Sequence, residues 1–353
     1  MFMEASQNEV AYKPKPLKSG TQTRYLWTDA FAVCNFLTLF IETQQDKYLK
    51  QAKALIDEVH NVLGKDRQLQ RRLGNATDDR PTLGGLRIGK KYNEDHDDGD
   101  GQYFHYLTKW MFALNRMSLV TGEELYNRWA IEMAESMHDR FINRTSPHQL
   151  RMYWKISIDG SRPLVRSEGN LDPFDGYVTY KLLRNVHSLF NQSEKSDVLK
   201  TQIHEMERMV MKKYSNYSSH DPLDLGESLW ISCWFSNEEW SQHIQNVALE
   251  CLDELWTEKY FDSSSRRYRL AFREFGTSLG LQTIPTPRDE KWHQRVESIH
   301  DTWKDRIYER DHDITPVMYC SSIVPGVFKP NYCERYYQEH FGSKQSNVIA
   351  NNP

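Results

Sequence analysis

Six stretches of this chain place acidic, aromatic or glycine residues directly at the start of an apolar helix, and a second helix with an ordinary charged surface follows each one. Because the unusual residues precede every other helix, they would collect at one end of an array of helix pairs. The stretches are WTDAFAVCNF from Trp27, DGDGQYFHYLTKW from Asp98, DPFDGYVTYKLL from Asp172, DPLDLGESLWISCWF from Asp221, LAFREFGTSLGL from Leu270 and DITPVMYCSSIV from Asp313. Six antiparallel pairs in a ring would therefore line a single mouth.

The two helices of each predicted pair differ in how their apolar residues are distributed. Residues 27–40 are apolar on almost every side, whereas residues 46–63 keep their apolar side chains on one stripe. The first pattern is typical of a buried helix and the second of an outer helix. The same order recurs at 104–119 and 123–141, 177–190 and 196–214, 225–235 and 238–260, 272–281 and 290–308, and 316–324 and 331–340. Only residues 151–159 alternate like a strand, which predicts a short hairpin arm at the mouth.

The overall composition narrows the class of protein. Of the 353 residues, 39% are hydrophobic and 12% aromatic, which is enough to build a large core. A formal net charge of -4 argues against a nucleic-acid partner, because that function needs a concentrated basic face. The apolar runs are shorter than the roughly 18 residues that a membrane span requires, so we expect no membrane partner. Five scattered cysteines and a polar amino-terminal segment favour a cytoplasmic protein.

The order of helices resembles a known architecture. Six helical hairpins whose inner helices follow acid- and aromatic-rich loops are similar to the (α/α)6 toroid of six-hairpin glycosidases and sugar epimerases. The resemblance implies an all-α fold with long mouth loops, at 64–99 and 145–172, and covers residues 24–341. We expect residues 1–23 to be a flexible lead-in and residues 342–353 a disordered tail. The sequence leaves the oligomeric state open.

The first long loop combines glycines with cations. PTLGGLRIGK, at residues 81–90, contains Arg87 and Lys90, which could grip an anion on the substrate. The stretch departs from the phosphate-binding P-loop at its last position, where Lys91 follows Lys90. The alternative is a tight loop whose cations balance the acids that follow it.

The acids at the helix openings are candidates for proton transfer, but each also has a structural explanation. Asp29, Asp100 and Asp175 lie at helix starts, where a carboxylate can cap the helix or be stabilised by the positive end of its dipole. His105 shares a helix face with Lys109 and could be either a base or a hydrogen-bonded core residue. Glu227 and Glu274 are general-acid candidates, since burial would raise their pKa values. Arg273 and Glu274 could equally form a buried pair that ties helices together.

Other chemistries fit the residues less well. Asp95-His96-Asp97-Asp98 matches the DxDD string of class II terpene cyclases, but it lies in a highly charged loop rather than an apolar pocket. The order of ligands in a calcium-binding loop is broken at Gly99. The histidines are dispersed and form none of the usual metal-binding motifs, so we predict neither a metal nor a cofactor.

These observations predict an enzyme with a central pocket lined by aromatic residues and rimmed by carboxylates, acting on a small hydroxylated molecule. The favoured reaction is hydrolysis of a glycoside, with Glu274 or Glu227 as the acid and Asp29, Asp100 or Asp175 as the base. His105 would be an additional proton-transfer group. The predicted substrate-binding residues are Trp27, Arg87, Lys90, Gln102, Tyr103, Trp154, Tyr177 and Arg273. The alternatives are an isomerase, epimerase or cyclase that works without hydrolysis, and a toroid that binds a ligand without catalysis.

Overall fold

The computed structural model describes residues 12–17, 23–146, 149–192, 196–262, 268–284 and 290–349, and within them twelve α-helices follow one another. In the described part of the chain, the short strands lie beside the mouth loops. The helices are α1 (Leu26–Thr43), α2 (Asp46–Val62), α3 (Phe104–Thr121), α4 (Glu124–Phe141), α5 (Asp172–Asn191), α6 (Lys200–Lys213), α7 (Pro222–Ser232), α8 (Glu239–Thr257), α9 (Ala271–Thr283), α10 (Glu290–Trp303), α11 (Thr315–Ile323) and α12 (Tyr332–Ile349).

The odd-numbered helices form a closed inner ring. Each one packs on its odd-numbered neighbours, and α11 returns to contact α1. The even-numbered helices α2, α4, α6, α8 and α10 each pack on the outside of the preceding inner helix. This arrangement confirms the predicted (α/α)6 toroid. It also follows the apolar patterns, since α1 and α3 are buried nearly all round while α2 buries one stripe.

The last helix departs from this order. α12 packs on α3 and on the short 3-10 turn Gly326–Phe328 instead of lying along α11. Its residues meet the carboxyl-terminal halves of three inner helices: Tyr336 packs edge-on against Phe40 of α1, Glu334 binds Arg116 of α3, and Tyr337 lies against Phe190 of α5. The helix therefore closes the base of the ring, opposite the mouth.

The mouth is built by loops and two small sheets. β1 (Gln102–Tyr103) pairs with β4 (Lys155–Ile156), and β2 (Ile142–Ser146) pairs with β3 (Gln149–Met152). The strands thus include part of the predicted hairpin arm at 151–159. Since β1 leads directly into α3, the pairing with β4 fixes the entry of an inner helix to the loop that precedes α5.

The sequence predicts a flexible lead-in at residues 1–23 and a disordered tail at residues 342–353. Most of the segment 1–23 lies outside the described residues. α12 continues as a helix to Ile349, into the segment expected to be disordered. Residues 350–353 lie outside the described part of the chain. Among the described helices, none is long and apolar enough to cross a membrane.

Glycines allow α7 and α9 to approach unusually closely. A Cβ atom added at Gly226 would overlap the carbonyl group of Gly276, and one added at Gly280 would overlap the backbone of Gly226. Backbone contact of this kind is possible only without side chains between the helices. The residue after Gly226 is Glu227, so the crossing also sets how far this side chain extends into the ring.

We predict that Gly226→Ala lowers the free energy of unfolding by about 1–3 kcal/mol, because the methyl group forces the two helices apart. Urea denaturation would measure the change. Gly342→Ala is the matched control: it lies in a helix, and its nearest neighbour is the flexible end of Gln338. The control should be neutral or slightly stabilising, since alanine favours a helix more than glycine does. An unchanged stability of Gly226→Ala would contradict the tight crossing.

Candidate active site

Four ionisable side chains from three inner helices meet inside the ring. Nδ1 of His105 lies 2.8 Å from Oδ2 of Asp175 and 3.3 Å from Oε1 of Glu227. Nζ of Lys109 lies 2.5 Å from Oδ1 of Asp175 and 2.5 Å from Oε1 of Glu227. Two basic groups are therefore bound between two carboxylates. We call these four residues the proton-transfer cluster.

Local helix geometry places each member of the cluster. His105 and Lys109 are four residues apart on α3, so both side chains point from the same face. Asp175 lies in the first turn of α5, which Pro173 begins. Glu227 follows Gly226 at the close crossing of α7 and α9. The cluster consequently depends on the mutual positions of α3, α5 and α7.

The cluster borders a central cavity that is open to solvent, with ≈ 360 Å³ of empty space including the open part. His105, Lys109 and Glu227 form its polar wall. Its apolar walls include Trp27 and Phe31 of α1 and Trp230 of α7, and the Lys109 ammonium lies 4.5 Å from the centre of a Trp230 ring. Aromatic faces beside hydrogen-bonding groups are suited to a molecule with both apolar and hydroxylated surfaces.

The environment moves the pKa values of the two acids in opposite directions. Burial, followed by the charge of Asp175, raises the pKa of Glu227 to about 7. Burial alone would also raise the pKa of Asp175, but Lys109 and His105 outweigh it and lower that pKa to about 2. Asp175 is therefore ionised at neutral pH, while Glu227 exchanges its proton near neutrality. Such a pair of acids is a common feature of catalytic sites.

The same acids raise the pKa values of the two basic groups. Burial lowers the pKa of His105, but Glu227 and then Asp175 act against burial and against Lys109, so the net pKa is raised. Burial likewise lowers the pKa of Lys109, and Asp175 and Glu227 raise it above its ordinary value. The lysine thus remains an ammonium ion, and the histidine titrates above its usual range.

Asp172, one turn before Asp175 on α5, is a buried acid with one carboxylate oxygen that has no hydrogen bond. Its Oδ2 atom finds no partner in the described part of the chain. Burial raises the pKa of Asp172 to about 6, and the charge of His105 opposes that rise. Asp172 is therefore close enough to the cluster to influence its charge.

Three residues of the cluster carry atoms that could bind a metal ion. The ligand atoms of His105, Asp175 and Glu227 lie within 4.8 Å of one another, as a metal site would require. The Lys109 ammonium, however, already contacts both carboxylates. A metal ion would have to displace this cation, so the residues fit an ion-pair cluster better than a metal centre.

Several predicted site residues instead hold the first mouth loop together. Asp100 is fully buried and accepts hydrogen bonds from Arg87, Arg67 and the backbone nitrogen of Gly89. Arg87 also donates to backbone carbonyls of Lys65 and Val62, which leaves it away from the cavity. These contacts support the structural alternative for this loop rather than anion binding.

Two other residues of that loop also face internal partners. Lys90 pairs with Asp98. The buried Gln102 donates to the carbonyl oxygens of Gly84 and Ile158. Neither residue borders the central cavity.

Asp29 and Glu274 form matching ion pairs at the openings of α1 and α9. Each acid receives two hydrogen bonds from an arginine five residues earlier, Arg24 for Asp29 and Arg269 for Glu274. Glu274 also accepts a hydrogen bond from Trp303 at 2.7 Å. With their oxygens occupied and buried, these acids stabilise helix openings, and the structure does not place them in the cavity.

The remaining predicted residues lie at the mouth or on its outer side. Tyr103 packs edge-on against Trp154 with 4.7 Å between ring centres, so both belong to the mouth beside α3. Arg273 pairs with Asp221 at the opening of α7. Tyr177 points outwards, where its hydroxyl contacts Glu207 and Glu238. Only Trp27 among the predicted substrate-binding residues borders the cavity.

The structure thus brings together three of the six proposed catalytic residues, His105, Asp175 and Glu227; their catalytic role stays a prediction. Sequence reasoning did not nominate Lys109, although its spacing from His105 was visible. It also omitted Asp172, because an acid before proline looks like an ordinary helix opening. Phe31 and Trp230 carried no local signal beyond the apolarity of an inner helix.

Two solved structures share this fold. A cellobiose 2-epimerase from Spirochaeta thermophila DSM 6192 is 14% identical, with a TM-score of 0.51 over 82% of this chain and 76% of that chain. A cellobiose 2-epimerase from Bacillus thermoamylovorans B4167 is 11% identical, with a TM-score of 0.55 over 90% of this chain and 93% of that chain. No family model and no curated protein matches the sequence. At these identities the likeness establishes the (α/α)6 toroid and nothing about the reaction.

The cluster makes a prediction about the titration of His105. Glu227→Gln should lower the pKa of His105, because it removes a negative charge that favours the imidazolium form. Lys109→Met should raise the same pKa, because it removes a positive charge. Both pKa values can be measured by NMR from the ring protons of His105. Glu207→Gln, on the outer side of the ring, is the control and should leave the pKa of His105 unchanged. Shifts of the same sign in the two cluster variants would disprove the described arrangement.

Proposed function

We propose that this protein is an isomerase that moves a proton within a small, hydroxylated substrate of carbohydrate type. The observation that carries the proposal is the proton-transfer cluster, which presents a histidine, an ammonium group and an acid of near-neutral pKa to the central cavity. Our assignment of an enzymatic function rests on this geometry.

The exposed fraction of each side chain suggests which groups contact the substrate directly. The side chain of His105 is 23% exposed, Glu227 10%, Lys109 5% and Asp175 1%. Because Nδ1 of His105 faces the two carboxylates, its Nε2 is the ring nitrogen that remains for a substrate. We assign His105 and Glu227 to proton transfer, and Asp175 to holding the imidazole in one orientation and tautomer.

The arrangement of the acids favours isomerisation over hydrolysis. A glycosidase places its two carboxyl groups on either side of the scissile bond. Here Asp175 and Glu227 lie on one side of the cavity and share the same ammonium group, so no glycosidic oxygen fits between them. Glu274, the other acid proposed for hydrolysis, is occupied by Arg269 and Trp303.

The same groups can carry out a complete proton transfer. Neutral His105 would remove a proton from the carbon next to a substrate carbonyl, while protonated Glu227 donates its proton to the carbonyl oxygen. The Lys109 ammonium would stabilise the negative charge that develops on that oxygen. His105 then returns a proton to the same or the neighbouring carbon while Glu227 takes a proton back from a hydroxyl of the enediol, which restores both residues and leaves the substrate mass unchanged.

The walls of the cavity support a sugar-like substrate. Trp27 and Trp230 offer flat apolar faces against which the C–H face of a sugar ring can stack. The similar solved structures are sugar epimerases, and this chain shares their fold. A reducing mono- or disaccharide has both the carbonyl group and the hydroxyl groups that the proposed chemistry needs.

We predict that the protein catalyses exchange of one carbon-bound hydrogen when incubated with reducing sugars in D2O. Each turnover passes a substrate proton to a group that exchanges with solvent, so deuterium enters the substrate or its isomer. NMR and mass spectrometry would detect one incorporated deuteron and no cleavage. The control is the same incubation with the His105→Gln variant.

The other outcomes discriminate between the alternatives. Two smaller products containing solvent oxygen would indicate a hydrolase and overturn the isomerase. Tight binding of a sugar without exchange or cleavage would indicate a non-catalytic toroid.

Replacement of cluster residues should reduce turnover rather than substrate binding. His105→Gln removes the base and should lower kcat by about 10²–10⁴-fold with little change in KM. Asp175→Asn should also lower kcat, because it no longer holds His105 in the required tautomer. The exposed His204 on α6 provides a matched control, and His204→Gln should retain full activity. Normal kcat in both cluster variants would reject the assigned roles.

A further inference from the structure

An apolar groove lies on the outer side of the ring, where the first and last inner helices meet. α12, the expected outer partner of α11, packs at the base of the ring and leaves this side open. Two adjoining cavities share Leu39 of α1 with Tyr319 and Cys320 of α11, and they extend from Pro316 to Val324. The larger one is open to solvent, with ≈ 700 Å³ of empty space including the open part. We call the two cavities together the α1–α11 groove.

Large apolar side chains are exposed along this groove. Ile323 is 46% exposed, Val324 37% and Tyr308 51%, and all three line the groove. They are three of the seven large hydrophobic side chains that are exposed in the described part of the chain. Exposed apolar side chains that cluster in this way mark a surface that another segment or molecule covers.

The segment 12–17 leads the chain to the groove. The carbonyl oxygen of Lys15 accepts a hydrogen bond of 3.0 Å from Arg24, just before α1 begins. Tyr12 packs edge-on against Phe36, in the middle of α1, with 6.3 Å between ring centres. Phe36 lines the α1–α11 groove. The residues that precede Tyr12 are therefore attached to the chain at the edge of the groove.

We propose that residues 1–11 of this chain dock into the α1–α11 groove and cover its apolar walls. These residues lie outside the described part of the chain, and their sequence is MFMEASQNEVA. The first three, Met1, Phe2 and Met3, are apolar, as an occupant of this groove must be. Burial of these side chains against α1 and α11 would favour docking.

Length and attachment favour this segment over a second copy of the chain. Eleven residues span at most roughly 36 Å when extended. The part of α11 that lines the groove, residues 316–323, rises by only about 11 Å. Because Tyr12 already lies beside the groove, the segment is present there at an effective concentration on the order of millimolar. A second copy in dilute solution does not reach that concentration.

Docking would strengthen the joint at which the ring closes. α1 and α11 come from opposite ends of the chain, and both contribute to the central cavity, α1 through Trp27 and Phe31 and α11 through Met318. Apolar side chains placed across these two helices would hold them together as an outer helix does elsewhere in the ring. The start of the chain would thus replace the helix that α12 does not supply.

The reactivity of one cysteine reports whether the groove is covered. Cys320 lines both cavities of the groove, and among the five cysteines it is the exposed one. Its rate of alkylation by N-ethylmaleimide in the full-length protein can be followed by mass spectrometry of the peptide that contains it. Cys251 on α8, which is half-buried and far from the groove in sequence, is the internal reference for the fold. A docked segment slows alkylation of Cys320 and leaves that of Cys251 unchanged.

Variants of the segment identify the occupant. Phe2→Ser/Met3→Ser should raise the alkylation rate of Cys320 by about tenfold, because the segment loses the apolar side chains that favour docking. The matched control, Gln7→Ser/Asn8→Ser, changes two polar residues of the same segment and should leave the rate as it is in the unmodified protein. Equal rates at Cys251 in all three proteins would show that the fold is intact.

Two results would overturn the proposal. The first is an equal rate at Cys320 in the unmodified protein and in the Phe2→Ser/Met3→Ser variant, which would mean that the segment does not cover the groove. The second is protection of Cys320 that disappears on dilution and is the same in both variants, which would assign the groove to a second copy of the chain. Because thiol reactivity is measured without substrate, the outcome is independent of the proposed isomerase activity.

Discussion

The contact of one lysine with two acids holds the centre of this protein together. Lys109 reaches from α3 to Asp175 on α5 and to Glu227 on α7, so three inner helices meet at one ammonium group. Removing a charge from water is costly, and two carboxylates at hydrogen-bonding distance offset that cost. The same contacts set the charge states of the site, because the lysine keeps Asp175 ionised while burial allows Glu227 to hold a proton near neutral pH. Lys109 therefore both joins the three inner helices and sets the charge states of the acids beside it.

A second set of ion pairs keeps the mouth in shape around this cluster. Arg24 with Asp29, Arg87 with Asp100 and Arg269 with Glu274 are all buried and all lie at helix openings or in the loops before them. Each arginine offsets the cost of burying the charge of the acid beside it. These buried acids fall into two groups: Asp29, Asp100 and Glu274 are neutralised by arginines, and Asp175 and Glu227 share a lysine and a histidine. Of these five acids, Glu227 borders the cavity.

Much of the fold could be predicted from the periodicity of apolar residues. The all-round apolarity of α1 and α3 and the single stripe of α2 follow from whether a helix has neighbours on all sides or faces water on one. Helix starts were also visible, because proline and acids mark the openings of α5 and α7. The position of α12 was not predictable, since its apolar residues fit the outside of α11 as well as the base of the ring. The deciding contacts, Glu334 with Arg116 and Tyr337 with Phe190, join residues far apart in the chain.

By itself, the sequence determined that the chain forms six inner helices and that their polar openings share one end. It did so because helix periodicity and helix-start preferences depend on neighbours within a few residues. Only the tertiary structure decided which acids are paired and which face the cavity. Asp29 and Asp175 both sit in the first turn of an inner helix, yet one meets Arg24 and the other meets Lys109 and His105. The difference arises from the rotation of each helix about its axis and from the charge that faces it, and both are set by packing between distant segments.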